Sequence, residues 1–511
     1  MKKITSKLAA GAVACACLLG SASLASAADI KVKGDFEFGF GLYTGTNFTK
    51  HDNEETFDAM QSFTTQIDII ASESLRGVVR FEIGDTYWGN GGGATWGTAN
   101  SGAGRGAGGA MGADGVSVMV ESLYIDWLVP ETDLQVRMGI QPFALPMAVA
   151  RSDDEGGAYV IDDDLAGILL SYNFNENVGV NLGWFRPWDP YINGETDDNN
   201  NFYSHDEIDL FALTIPIEVQ DSFSLTPYGM FAMVGDVDDD GFDRHTRPGV
   251  NEAQISDWLA GGNDLGHDGR AWWAGLAFEL TEFDPFVAAL DFTYGRYSAD
   301  SFSGVDANGN QFTNDPDRSG WVAQAKFGYK LDYFTPILFG WYGSGAKDFD
   351  DNMAGTTNSG YRDGLMPVLS PDWGLTSFGW SNAHFGGREF LINDNPGGTW
   401  AVGLGLEDIN FIENLTSHLR VAYFRGTSDA ERYNEAVKHG LVADRTDAFR
   451  EYGILDTSDW GMEVNLDNVI NIYENLDMFV ELAYVHVSLE HSPTDFEDNA
   501  WKGYVGFTYS F

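Results

Sequence analysis

The sequence predicts an all-β fold, an antiparallel transmembrane β-barrel, from three observations. Apolar and polar residues alternate through many short segments, and a period of two is typical of strands with one apolar and one polar face. Long and short polar connections alternate between these segments, as in barrels with long loops at one rim and short turns at the other. No apolar run of about 18 residues occurs, so a closed barrel is the membrane-spanning backbone that remains.

The N-terminal segment has the features of an export signal. Three lysines among the first seven residues precede an apolar run, and Ala25-Ser26-Ala27 has the small residues of a cleavage site. We therefore predict residues 1–27 as a secretory signal peptide and residues 28–511 as a single barrel domain. Both cysteines, Cys15 and Cys17, lie in the predicted signal, so no disulfide or thiolate metal site is expected after cleavage.

The strands follow one another in a regular pattern. In the first, residues 30–43, apolar residues such as Phe38 alternate with polar ones such as Glu37. A short turn at residues 72–77 joins the second and third strands, and Arg80 of the third points inward between two outward apolar neighbours. The second and later strands are predicted at 63–71, 79–83, 123–129, 134–140, 168–174, 178–184, 207–217, 223–234, 271–280, 286–297, 320–331, 335–343, 399–406, 417–425, 459–466, 477–487 and 501–511.

This pattern gives about 18 strands, with long extracellular loops and short periplasmic turns. Sixteen strands is the alternative, and a further hairpin within residues 345–397 would instead raise the number. With nine long and eight short connections, both termini lie on the side of the short turns. At this width the wall side chains do not fill the interior, so a water-filled lumen is predicted.

The charge balance is strongly acidic, with 29 Lys and Arg against 77 Asp and Glu and a net charge of −48. A nucleic-acid-binding role is excluded as the main function, because a phosphate backbone needs a basic face. The acidic residues are either solvated loops or a surface that concentrates cations. The nine histidines show no compact metal-ligand spacing, and Ser204-His205 lacks an identifiable third group. We therefore predict that the protein is not an enzyme.

The last strand ends with aromatic residues at alternate positions, Phe507, Tyr509 and Phe511, and the chain stops at the last of these. This ending resembles the C-terminal strand of Gram-negative outer-membrane β-barrels. The resemblance implies that these three residues form an assembly signal read by the barrel-assembly machinery. It also implies an outer-membrane location, with membrane lipid around the barrel.

Over its whole mature length the chain resembles the general porins of Gram-negative outer membranes. The signal peptide, the alternating strands, the ending FTYSF and the acidic third long loop carry this resemblance. More narrowly, its size and acidity resemble the outer-membrane homotrimeric porins of sulfate-reducing bacteria. In the general porins the third long loop folds inward and narrows the channel. The resemblance therefore implies a homotrimer and makes residues 144–165 the constriction loop.

Charged groups at a constriction select ions, and rings of carboxylates favour cations. Arg80 and Arg137 are the predicted bases on the opposite wall. Alternatively, the acidic loop is an ordinary solvated outer loop. The predicted constriction acids are Asp153, Asp154, Glu155, Asp162, Asp163 and Asp164.

A second acidic cluster fits the opening of a calcium-binding loop. Asp236, Asp238 and Asp240 alternate before Gly241, as in loops where carboxylates converge at a sharp turn. The twelfth position is Arg247 rather than a glutamate, so the segment is not an EF-hand. An ordered calcium ion and plain solvated charge both remain open, and no cofactor is required.

These observations predict a porin that lets small hydrophilic solutes and ions diffuse passively through a water-filled channel, with a preference for cations. Two alternatives stay open: a substrate-specific channel, and a structural or surface-recognition barrel with a plugged lumen. Trp373, Phe378 and Trp380, in the longest connection, are candidates for contact with solutes.

Overall fold

The computed structural model describes residues 28–50, 55–89, 118–149, 157–189, 207–219, 222–235, 259, 267–280, 283–300, 302–305, 311–314, 317–346, 364–380, 384, 391–430, 455–490 and 496–511. Within these ranges no helix is long and apolar enough to be a membrane span. The strands are β1 Asp29–Thr44, β2 Thr56–Ser72, β3 Leu75–Tyr87, β4 Val118–Leu128, β5 Leu134–Ala144, β6 Asp162–Asn175, β7 Val178–Trp188, β8 Ile208–Thr214, β9 Ile217–Val219, β10 Phe223–Val234, β11 His267–Leu280, β12 Phe286–Asp300, β13 Phe302–Val305, β14 Gln311–Asn314, β15 Arg318–Tyr329, β16 Thr335–Gly343, β17 Thr399–Ile412, β18 Leu415–Gly426, β19 Trp460–Tyr473, β20 Leu476–Ser488 and β21 Asn499–Ser510.

One antiparallel sheet closes on itself, because β1 pairs with β2 on one side and with β21 on the other. The sheet has 19 segments, but β8 and β9 both pair with β7 and with β10. They are two pieces of one strand, interrupted at Pro216, whose backbone nitrogen has no hydrogen to donate. The barrel therefore has 18 strands, which confirms the predicted fold and strand number over the alternative of sixteen.

The connections also follow the predicted plan. Eight short turns join strands at one rim, nine long connections lie at the other, and β1 begins and β21 ends at the rim of short turns. The small hairpin β13–β14 belongs to the long connection between β12 and β15. The extra hairpin considered within residues 345–397 is not among the strands of the part of this segment that the structure describes.

The outer face of the barrel is apolar. Large apolar side chains at alternate strand positions point outward, and Ile30 on β1 and Leu404 on β17 are 62% and 66% exposed. Such a continuous apolar surface is stable in lipid rather than in water. Barrel strands of 9 to 17 residues, apart from the interrupted β8–β9 pair, match or exceed the roughly 9–11 residues needed to cross a bilayer.

Candidate functional site

The third long connection crosses the lumen. After β5 it runs through residues 145–149, where the backbone nitrogens of Ala148 and Val149 donate hydrogen bonds to Asp291 Oδ1 and Oδ2 at 2.8 and 2.7 Å. Asp291 lies on β12, six strands further around the barrel. A buried carboxylate six strands away therefore holds Ala148 and Val149 of this connection.

Gln324 on β15 extends this anchor to a second connection. Its Nε2 donates to Asp291 Oδ2 at 2.8 Å and to the Val149 carbonyl at 3.2 Å. Its Oε1 accepts from the indole nitrogen of Trp373 at 2.9 Å. Trp373 belongs to the seventh long connection, between β16 and β17, so one wall amide ties both connections to the same place.

The two connections also pair with each other inside the barrel. The nitrogen of Leu369 donates to the Val160 carbonyl at 2.7 Å, and that of Asp372 donates to the Ala158 carbonyl at 3.0 Å. We call residues 145–149, 157–161 and 364–380 together the inner layer. An interior of 18 strands is too wide for wall side chains to meet, and the inner layer occupies part of that space.

Aromatic side chains of the inner layer pack against the wall instead of facing solute. Trp373, Phe378 and Trp380 are all 0% exposed. Trp341 of β16 makes edge contacts with Trp373 and Trp380, with ring centroids 5.1 and 5.2 Å apart. Each such pair stabilises the folded state by about 0.5–1.5 kcal/mol beyond the contribution of the apolar area that it buries. The sequence-based suggestion that Trp373, Phe378 and Trp380 contact solutes is therefore wrong for this structure, because they form a dry seam between the inner layer and the barrel.

A buried glutamate holds the far end of the inner layer. Glu463 Oε1 on β19 accepts hydrogen bonds from the backbone nitrogens of Phe378 and Gly379, both at 3.1 Å, and from Asn465 Nδ2 at 2.7 Å. A Cβ atom at position 379 would collide with the Glu463 carboxylate. A side chain at this position would therefore displace the carboxylate that the two backbone nitrogens contact.

Further ionic contacts hold the same end. Lys502 Nζ on β21 donates to the Ser377 carbonyl at 2.6 Å and lies 2.5 Å from Glu481 Oε2. The other oxygen of Glu481 is 2.8 Å from His384 Nδ1. Ser377 Oγ donates to Asp467 Oδ1 at 2.8 Å. Charged groups that lie nearly out of solvent are thus each placed against a partner, as buried charges require.

A buried ion network links neighbouring wall strands below the inner layer. Arg420 Nη2 donates to Glu407 Oε1 at 3.0 Å, and Arg420 Nη1 lies 3.6 Å from Asp467 Oδ2. Lys326 Nζ is 3.9 Å from Glu407 Oε2. This network was not predicted: Glu407 and Asp467 lie one residue beyond the predicted strands 399–406 and 459–466, whereas the observed strands extend past them.

The two predicted constriction bases are paired with acids of adjacent strands. Arg80 Nε lies 2.6 Å from Glu121 Oε2, and Arg137 Nε lies 2.7 Å from Asp126 Oδ1. Asp126 also accepts from Arg76 at 2.7 Å. The structure therefore places Arg80 and Arg137 on the inner wall of β3 and β5, in pairs between neighbouring strands.

The predicted constriction acids fall into two groups. Asp162, Asp163 and Asp164 are the first residues of β6, where Asp162 pairs with Ala144, so they begin a strand rather than lie on the loop. Asp163 Oδ2 accepts from Ser370 Oγ at 2.8 Å. Asp164 Oδ1 accepts from Ser122 Oγ at 3.3 Å. The other group, Asp153, Asp154 and Glu155, lies outside the described residues.

The predicted calcium cluster, Asp236, Asp238 and Asp240, also lies outside the described residues, as does the predicted signal peptide. Among the residues that are described, no three His, Cys, Asp or Glu side chains gather as a metal site. Calcium binding stays a prediction.

The predicted assembly residues lie at the seam where the barrel closes. Phe511 exchanges backbone hydrogen bonds with Gly34 of β1 at 3.0 and 3.1 Å. Its ring lies within about 6 Å of the rings of Phe36, Phe63 and Tyr509 and remains 46% exposed on the outer face. Phe507 lies four residues earlier on the same strand, opposite Phe38.

Solved outer-membrane barrel structures have the same fold. OccK8 (OprE) of Pseudomonas aeruginosa is 10% identical, with a TM-score of 0.50 over 94% of this chain and 98% of that one. OccAB1 of Acinetobacter baumannii is 12% identical (TM-score 0.48; coverage 96% and 99%), and Pseudomonas aeruginosa OprD is 12% identical (TM-score 0.48; coverage 95% and 97%). No family model and no curated protein matches the sequence.

The chain has the closed antiparallel β-barrel fold of these structures, with 18 strands. At these identities the similarity concerns the fold alone, so the function has to be argued from this chain's own lumen.

Proposed function

We propose that this barrel is a channel through which small hydrophilic solutes and ions cross the outer membrane by passive diffusion. One observation carries the proposal: a closed wall of 18 strands has charged side chains on its inner face and apolar ones on its outer face. A barrel of this width encloses more space than wall side chains fill. Charged inner residues keep that space favourable for water and ions.

The inner layer favours a selective channel over a wide one. It crosses from β5 to β12 and is bonded to the walls of β15 and β19, so it narrows the lumen with backbone that is fixed in place. A narrow passage with fixed polar groups discriminates among solutes by size and charge. Saturable conductance that a preferred solute blocks competitively would distinguish a substrate-specific channel from a general one.

The inner layer also keeps a second candidate open, a surface-recognition barrel whose lumen is plugged. Reconstitution of the purified protein in planar bilayers separates the two functions. We expect discrete conductance steps, and liposomes containing the protein should swell in small sugars. A protein that folds into the bilayer but gives neither conductance nor swelling would establish the plugged barrel and refute the channel.

Three further properties belong to this proposal. We propose a homotrimer, as in the porins that the sequence resembles, because closed symmetric assembly is common for such chains. Cross-linking in membranes should give a band of three subunits. We also propose that the barrel-assembly machinery recognises the C-terminal aromatic residues and that the acids near the start of β6 favour cations.

A further inference from the structure

The described interior of the barrel has two unlike sides. From this we infer that solutes cross off-centre, along the inner face of β1–β4, and that the opposite wall is dry. The inference rests on the proposed channel function and adds the position of the path. It is carried by where the inner layer is anchored and by which inward residues are exposed.

Apart from Asp163 at the start of β6, the wall anchors of the inner layer lie between β11 and β21. Asp291 is on β12, Gln324 on β15 and Glu463 on β19, while Lys502 is on β21. Trp273 on β11 adds another contact, since its indole nitrogen donates to the Pro367 carbonyl at 2.7 Å. The inner layer therefore lies against the wall from β11 to β21.

Small inward residues beneath the inner layer are shielded. Ala271 on β11 is 0% exposed and Ala422 on β18 is 1% exposed, although both point toward the interior of the barrel, next to outward-facing Trp272 and Val421. Inner-layer backbone is bonded to Trp273, two residues from Ala271, and to Glu463, the cross-strand neighbour of Ala422. The inner layer therefore covers these positions, so this side carries no water path.

The wall of β1–β4 differs in the exposure of its charged side chains, although small inward residues such as Ser62 and Ser122 are buried there as well. Arg76 and Arg80 on β3 have side chains 42% and 44% exposed. Gln66 on β2 is the cross-strand neighbour of Arg80, and its amide bonds to Asp68 at 2.8 Å. Exposed charges and amides inside a barrel indicate water, because unsolvated charges are strongly disfavoured.

Both signs of charge alternate along this wall. Arg80 pairs with Glu121, and Arg76 and Arg137 share Asp126. A solute moving along β1–β4 therefore meets fixed dipoles in which each base has an acid beside it. We assign Gln66 and Arg80 as residues that line the path.

The lack of cysteine in residues 28–511 permits a direct test. Gln66→Cys places one thiol on the inferred path, and Ala422→Cys places one on the covered wall, at a similar number of residues from the short-turn rim. Ala271→Cys is a second covered position. Each variant is reconstituted in a bilayer and treated with small charged methanethiosulfonates, one cationic and one anionic, while single-channel current is recorded.

We expect both reagents to change the conductance of Gln66→Cys in a stepwise manner and to leave Ala422→Cys and Ala271→Cys unchanged. Modification of either alanine position at the same rate, or no change at Gln66→Cys, would overturn the off-centre path. If the unsubstituted protein folds into the bilayer without any conductance, the proposed channel function fails instead. The two failures are therefore distinguishable before any reagent is added.

Discussion

At the scale of single residues, the lumen contrasts buried and exposed ion pairs. Arg420 is 1% exposed and lies between Glu407 and Asp467, whereas Arg76 is 42% exposed beside Asp126. Removing one partner of a buried pair leaves an uncompensated charge, while an exposed pair contributes little. Arginine thus stabilises the covered wall at position 420 and faces the inferred solute path at position 76.

We therefore expect Arg420→Met to destabilise the barrel by about 3–5 kcal/mol. Arg76→Met, the matched control, should cost about 0–1 kcal/mol. The temperature at which the folded band on a cold denaturing gel converts to the unfolded band measures this difference. Equal transition temperatures for the two variants would show that the Arg420 network does not stabilise the barrel.

A second residue-scale prediction concerns Glu463, which accepts from the backbone nitrogens of Phe378 and Gly379. Glu463→Ala removes the acceptor of three buried donors, the two backbone nitrogens and Asn465 Nδ2, at about 1–3 kcal/mol each. We expect the inner layer to detach locally, so that single-channel conductance rises and current becomes noisier. Glu463→Gln retains Oε1 as an acceptor and should conduct nearly as the unsubstituted protein does. Unchanged conductance in Glu463→Ala would show that this bond does not hold the inner layer.

At the scale of elements, the strands could be predicted from sequence, whereas the inner layer could not. Alternation of apolar and polar residues is local, so all 18 barrel strands are visible in the sequence. Residues 364–380 have no such period, and their partners lie far away in the chain, as Gly379 and Glu463 do. One signal was available: this stretch is rich in large apolar residues and poor in charge, unlike the other long connections.

The N-terminal end of β6 also could not be predicted from local sequence. Three consecutive aspartates favour a loop on composition alone, but Asp162, Asp163 and Asp164 pair with β5 residues Ala144, Phe143 and Pro142. Consecutive strand residues face opposite sides, but an acid at the end of a barrel strand, near the rim, can be solvated on either face, so composition does not mark the end of a strand. Arg80 and Arg137 could be predicted on the inner wall because their neighbours in sequence are apolar and face outward. Their partners Glu121 and Asp126 lie on another strand, so local alternation did not identify them.

Closure of β1 with β21 supports a prediction about the last residue. Phe511→Ala retains the two backbone bonds to Gly34 and loses only ring contacts on the lipid side, where the side chain is 46% exposed. We expect refolding of the purified variant into lipid vesicles at close to the usual yield. In cells, however, the amount of folded barrel should fall severalfold if the terminal ring is an assembly signal.

Deletion of Phe511 is the informative comparison, because it also removes the backbone bonds to Gly34. This variant should lose yield in vesicles as well as in cells. If Phe511→Ala assembles normally in cells, the ring is not the signal. If it fails equally in vesicles, its role is packing rather than recognition.

At the scale of the whole molecule, the negative net charge and the paired charges of the β3–β5 wall both bear on ion preference. The chain carries a net charge of −48, while the described wall of β3–β5 pairs its bases with acids. Paired charges largely cancel beyond a few ångströms, so these wall pairs contribute little to a net preference for cations. The acids predicted for the constriction, Asp153–Glu155 and Asp162–Asp164, are therefore the groups to test.

We expect the two groups to differ when they are neutralised separately. Changing Asp162, Asp163 and Asp164 to asparagine removes acids at the start of β6, and should lower the cation-to-anion permeability ratio by roughly twofold or more. Changing Asp153 and Asp154 to asparagine and Glu155 to glutamine tests the loop group in the same way. The reversal potential in a potassium chloride gradient reports each ratio. Because the screening length falls to about 3 Å at 1 M salt, any difference due to these charges should shrink there. An unchanged reversal potential in both variants at low salt would show that neither acidic group sets ion preference.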